Sequence, residues 1–209
     1  MKSKILDYAG VLASVVLIAI GAGAIIVGAN GHSTVGDNLK QEQITGTPDM
    51  TPALITKAIN EAKLHNVSAP SCSVAGQLVD NGSKARCFAQ YMRIHALEAT
   101  GGRVYSQMGR FLTASGKETN DAAQAAKDPK TGAPVSNGAR DIWVTETALS
   151  TALNTSDFAQ QVAQFAIVMG LALLLTGIGF GVFTLRHLRE RSEESEQTAA
   201  GMSPAGAAA

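Results

Sequence analysis

Two histidines of this chain each stand one helical turn from a glutamate: Glu61 and His65 are four apart, and His95 and Glu98 are three apart. On helices those spacings put each pair on one face. Were the two helices to pack together, two imidazoles and two carboxylates could converge on a metal ion as in a carboxylate bundle. The second pair runs against the usual Glu-x-x-His order and each helix supplies only one pair, so the expectation is solvated charge pairs worth about 0.2–0.5 kcal/mol, with no metal assigned. The only cysteines, Cys72 and Cys87, have no second pair for zinc and no C-x-x-C spacing for redox exchange. In an oxidising compartment such a pair is most simply a disulfide, and closing a loop of about fifteen residues is worth roughly 3 kcal/mol in the chain-entropy model. No G-x-S-x-G, no glycine-rich loop ending in Lys and Ser or Thr, and no H-E-x-x-H occurs. Neither a catalytic residue nor a cofactor is therefore assigned, and the chain reads as a non-enzyme.

The elements that must carry these residues are set by two apolar runs. From Phe158 to Leu185 no Lys, Arg, Asp, Glu or His occurs. At 1.5 Å per residue such a run more than covers a hydrocarbon core of about 30 Å, so it reads as a membrane-spanning helix. Residues 8–30 form a second run, ionisable only at Tyr8. A cleaved secretory signal is the rival reading for it, but a signal core spans about 7–15 residues and this one is longer, so it is expected to be retained. The expected fold is an all-α membrane protein: two transmembrane helices, 8–30 and 158–185, flank a disulfide-pinned helical extracytoplasmic bundle over 31–157.

Orientation follows from the basic residues beside each span. Lys2 and Lys4 precede the first, while Arg186, Arg189 and Arg191 follow the second, which puts both termini, 1–7 and 186–209, in the cytoplasm of a plasma-membrane protein. Acidic and basic residues balance over the whole chain, 17 against 17, leaving no electrostatic footprint for nucleic acid.

Within the middle section, Thr51 and Pro52 read as an N-cap and first-turn proline of a helix reaching Asn66, with Leu54, Ala58, Ile59 and Ala62 as its buried stripe. A second helix starts near Ser83, carries Cys87, Tyr91, Ile94 and Leu97 or Glu98 on one face, and ends at Gly101 and Gly102. RVYSQMGRFL reads as a short helix of its own. Residues 113–138 are polar and rich in turn formers, an exposed flexible loop. Asn137 then caps a helix that runs without proline or glycine from Asp141 to Val168, making one rod with the second span. The tail beyond Leu188 is low in apolar residues and reads as disordered.

Small residues inside the spans permit close backbone approach: Ala19 with Gly23, Ala24 with Gly28, Ala166 with Gly170, and Gly177 with Gly181. The partner for those faces is the other span, a second copy or a different protein. The bilayer is the remaining partner, and apart from Tyr8 at the edge of the first span no ionisable side chain lies in either span to build an ion path.

The segment from His95 to Gly102 with Tyr105, and Trp143, Glu146, Thr147, Ala148 and Leu149 leading into the second span, resembles a family of two-span membrane proteins from actinobacteria. Members are often labelled aromatic ring-opening dioxygenase, yet no iron site for an aromatic substrate can be pointed to in this chain. The resemblance implies the topology and no activity. Two functions follow as expectations: a structural or accessory subunit packing against a membrane complex, or an extracytoplasmic ligand sensor signalling through the second span. The short cytoplasmic part, without motif or heptads, favours the first.

Overall fold

A computed structural model describes residues 2–201, of which the side chains of 2–7, 195, 196 and 198–201 are left aside. The protein is mostly helical, at 65% helix with few strands. Helix α1 runs Lys2–Gln41, α2 Pro52–Glu61, α3 Gly82–Ala99 and α4 Gly138–Gly201, with a two-stranded antiparallel ribbon of β1 (Phe111–Leu112) and β2 (Glu118–Thr119) between α3 and α4. The chain divides into two compact units, one formed by 1–31 with 162–209 and the other by His32–Gln161.

In the first unit α1 and α4 are antiparallel. Each contains a window long and apolar enough to cross a membrane, with mean hydropathy 2.6 and 2.3, and only 11% of each window is buried. Large apolar side chains such as Val16, Ile20, Phe165, Leu175 and Phe183 therefore face outward over several turns.

The second unit has a core of its own. Leu39 from α1, Ile55 and Ile59 from α2, Val74 and Val79 from the connecting segment, Phe88, Tyr91 and Ile94 from α3, and Leu153 from α4 are buried together. Thr51 caps α2 by accepting the Leu54 N–H at 3.3 Å, as its sequence promises, but the buried stripe is Ile55 and Ile59 rather than Leu54 and Ala62. The helix also stops at Glu61, because Lys63 and Asn66 take left-handed backbone conformations that no helix continues through. Asn81 caps α3 through the Lys84 N–H at 3.0 Å. Between α2 and α3 the chain is clipped to the segment after α1: the Val79 N–H donates to Ile44 O at 2.8 Å and the Gly46 N–H to Gln77 O at 3.0 Å. Cys72 and Cys87 are bonded, with Cα atoms 6.1 Å apart, and the buried Tyr91 hydroxyl donates to Cys72 O at 2.7 Å. The bridge pins the 72–87 excursion to α3.

Two further expectations are corrected. RVYSQMGRFL contains a single 3-10 turn, Tyr105–Gln107, and then a strand. Gly101 and Gly102 leave α3 at φ +64° and +78°, and a Cβ on Gly109 would stand 2.8 Å from the Thr119 nitrogen, so the chain passes extended against β2 where a helix would not fit. The 113–138 stretch is mostly exposed and built of turns, as expected: Asp128 accepts from the Lys130 and Thr131 N–H groups at 3.0 and 2.8 Å, and Ala126 and Asp128 bond Val135 and Ala133 across the turn. The tail after Leu188 is helical to Gly201, since its residues are good helix formers with no proline or glycine before Gly201 and Arg189 pairs with Glu193 one turn on. The remainder of the tail expected to be disordered, 202–209, lies outside the described residues.

Candidate functional site

Two places bring polar chemistry or close approach together, one in each unit. The first is the seam between α1 and α4. Ser14, Gly21 and Gly28 on α1, and Ala163, Gly170, Gly177 and Thr184 on α4, are all buried and recur every seven residues. A seven-residue repeat keeps one narrow face of each helix turned to its partner. The approach is as close as backbones allow: a Cβ on Gly21 would stand 2.7 Å from Gly170 O, one on Gly170 2.7 Å from Gly21 O, and one on Gly28 2.7 Å from Ala163 O. Ser14 Oγ donates to Gly177 O at 2.8 Å, which satisfies the hydroxyl in an apolar setting.

Of the residues with four-residue small spacing, Gly28, Gly170, Gly177 and Gly181 lie in this seam and Ala24 and Ala166 are half-buried. Ala19 is exposed and Gly23 meets no neighbour within 4 Å, so these two belong to the outer surface of α1. Ser14, Gly21 and Thr184 complete the seam, and the seven-residue period is the signal that finds them, while Gly10, one turn before Ser14, meets Thr184 at its end. Gly170→Val forces a branched side chain against backbone that cannot move aside, and is expected to cost about 1–3 kcal/mol. An SDS titration of the full chain measures it; Gly23→Val, with open space around it, is expected to be near neutral.

The second place is the face where α3 meets the start of α4. Trp143 is 3% exposed and packs with Leu97 and Met108. Its Nε1–H lies 2.7 Å from Arg103 O and 3.3 Å from Thr100 Oγ1, so the indole ties α4 to the turn that ends α3. The Arg93 guanidinium covers its ring at 5.0 Å. Beside it lies a cleft of about 560 Å³ whose walls include His65, Gln90, Arg93, Leu97 and Val104. A smaller cavity of about 220 Å³ shares Gln90 and Arg93 and is bounded by Glu146, a buried carboxylate that accepts from Ser150 Oγ at 2.8 Å.

The His and Glu pairs do not converge. Glu61 is exposed and pairs with Lys57 at 3.7 Å, and His65 sits on the loop after α2. His95 Nδ1 meets Glu98 at 2.9 Å while Nε2 meets Asp49 at 3.3 Å. The two ring nitrogens point in opposite directions, so these carboxylates cannot share one ion with the imidazole. Among the described residues no group of three or more His, Cys, Asp or Glu could hold a metal. A hydrogen bond from Thr47 holds Asp49 below the usual carboxylate range, with its own backbone N–H and the neighbouring His95 acting in the same direction.

Glu118 organises the ribbon beneath this face. It accepts from Gly109 N–H at 2.9 Å, Asn137 Nδ2 at 3.0 Å and Arg103 Nη1 at 2.9 Å, and the Gly109 bond, foremost among these, holds its carboxyl below the ordinary 4.5. Asn137, which caps α4 through the Ala139 N–H, is thereby tied to the ribbon. A carboxyl depressed by folding stabilises fully above its unfolded value and loses that contribution as pH falls through the lower folded one. The protection of the Gly109 amide, its exchange rate relative to the intrinsic rate at the same pH, is therefore expected to be constant near neutral pH and to fall as pH drops below 4.5, and Glu118→Gln should remove that fall in protection.

Compared with protein-family models, with curated proteins and with solved structures, the chain matches none of them.

Proposed function

We propose that the protein is a two-span membrane protein of structural or accessory type, with both termini in the cytoplasm of a plasma membrane and the His32–Gln161 unit outside, and that it packs against a partner membrane complex. The observation that carries this is the exposure of its apolar windows. A core helix of a water-soluble protein hides its apolar side chains, whereas here only 11% of each window is buried and the seam uses a single narrow face of each helix. Lipid, or the apolar surface of another membrane protein, is the solvent that makes such a surface stable. The Cys72–Cys87 bond fits an oxidising compartment for the middle unit, and the basic residues beside the apolar runs fit the stated orientation. The resemblance to actinobacterial two-span proteins agrees with this topology and supplies no activity.

Photo-crosslinkers placed at the outward-facing Phe165, Leu175 and Ile20 of the full chain in native membranes test the accessory reading. A discrete adduct from one face, shared by neighbouring positions and absent from others, supports it. Recovery of the monomer alone from every position contradicts it. A second reading, an extracytoplasmic sensor, is favoured by the cleft beside Trp143 and by α4, which carries both Trp143 and the basic segment after Leu185 on one helix.

A further inference from the structure

The structure assigns the cleft between the loop after α2, the exposed side of α3 and the turn after α3 as a binding site for a small organic acid, a carboxylate on an apolar body. At about 560 Å³ the cleft is of the size that takes small molecules. Its ionisable wall residues are Arg93 and His65, and no Asp or Glu lines it, although the chain as a whole balances acids and bases. Among the described residues Arg93 makes no ion pair within 4 Å; its guanidinium rests on the Trp143 ring and keeps its N–H donors for another partner. Gln107 Oε1 already accepts the Val104 N–H at 2.9 Å, so what that carboxamide has left to offer is its NH₂. The other polar side chains of the wall, Asn66, Ser68 and Gln90, can each donate as well as accept, so Arg93 sets the sign of the site, and a planar carboxylate is the acceptor a guanidinium binds through two parallel hydrogen bonds. Ile94, Leu97 and Val104 form the apolar part, which fits a hydrocarbon body and excludes a bare inorganic anion as the best occupant.

The walls are held in shape by backbone that is costly to place. Asn66, which lines the cleft, and Lys63 before it have φ +59° and +52°. Non-glycine residues persist there only where the surroundings determine the conformation. The competing carboxylate is Glu146 across the smaller cavity, and it is engaged by the Ser150 hydroxyl. This assignment concerns the His32–Gln161 unit and does not depend on what the apolar helices pack against.

Trp143 is the only tryptophan of the chain and lies under Arg93, so its fluorescence reports a ligand that draws the guanidinium away. The test titrates the full chain in nanodiscs with cyclohexanecarboxylate, and separately with the neutral cyclohexanecarboxamide and the cationic cyclohexylmethylamine. The expected result is a saturable fluorescence change with the carboxylate, at least about tenfold weaker for the amide and the amine, and at least about tenfold weaker again for Arg93→Gln. His65→Glu, an exposed position where a new carboxylate would repel the ligand without disturbing the core, is expected to weaken binding by a similar factor. No saturable change up to about 10 mM, equal responses to all three probes, or undiminished binding by both variants would overturn the assignment.

Discussion

Trp143→Ala is expected to destabilise the His32–Gln161 unit by about 3–5 kcal/mol, the range for truncating a large buried aromatic. The indole is 3% exposed, and its removal does three things at once. It opens a cavity among Leu97, Met108 and Val104; it leaves Arg103 O without its 2.7 Å donor; and it takes away the ring under Arg93. The carbonyl keeps the Thr100 hydroxyl at 2.7 Å as a donor, so the cavity is the larger part of the loss. Trp143→Phe retains most of the volume and loses the indole N–H, and should cost only about 1–2 kcal/mol beyond the smaller ring. Calorimetry of the solubilised full chain measures both, and the alanine variant should melt roughly 10–20 °C lower for a unit of this size. Equal melting of the two variants would mean that packing at this node contributes little.

The second large effect is loss of the Cys72–Cys87 bond. Cys72→Ser with Cys87→Ser is expected to lower stability by roughly 3 kcal/mol, because a separation of 15 residues sets the loop entropy returned to the unfolded chain. Native contacts around the bridge survive the change: Tyr91 still donates to Cys72 O, and the 44–46 and 75–79 segments stay hydrogen-bonded. The variant should therefore fold to the same arrangement and melt lower. Melting unchanged by the double substitution or by reductant would show that the bond adds nothing to the fold.

Much of the architecture is legible in the residues. Thr51 sits where a helix must find an acceptor for its first N–H groups, and the structure uses it as a cap; Asn81, which caps α3, is shown by the structure alone. The unbroken run from Asp141 to Val168 does become one helix, because nothing in it opposes helical backbone. The Tyr91 face of α3 follows from period alone. What period misreads is decided by tertiary contacts. Leu54 and Ile55 are equally apolar neighbours, and only the position of α3 makes Ile55 the buried one. Gly109 reads as a residue in a short helix until the ribbon beside it requires a bare backbone.

At the sites the pattern is similar. The cysteine pairing needs only an even count and a compartment. The seam between the apolar helices is written in the sequence every seventh residue, as Ser14, Gly21 and Gly28 against Ala163, Gly170 and Gly177, while a search for four-residue spacing also returns Ala19 and Gly23 on the outer surface. His95 stands next to Glu98 in the chain, but its second partner, Asp49, comes from another segment altogether. The Arg93, Trp143 and Arg103 node joins residues 40 to 50 positions apart, with no local signature to announce it.

Lipid as the solvent of the apolar helices is the claim beneath the rest, and spin-label depth measurement reads it directly. Single cysteines at Val168, Leu171, Leu175, Ile178 and Val182, labelled in the full chain reconstituted in vesicles, face away from the seam or beside it, and the native cysteines are blocked by their bond. Collision with oxygen should exceed collision with a polar nickel chelate at every site, with the greatest contrast near the middle of the series and the reverse at exposed Lys117. Chelate collision as frequent at Leu175 as at Lys117 would place that face in water and contradict the account.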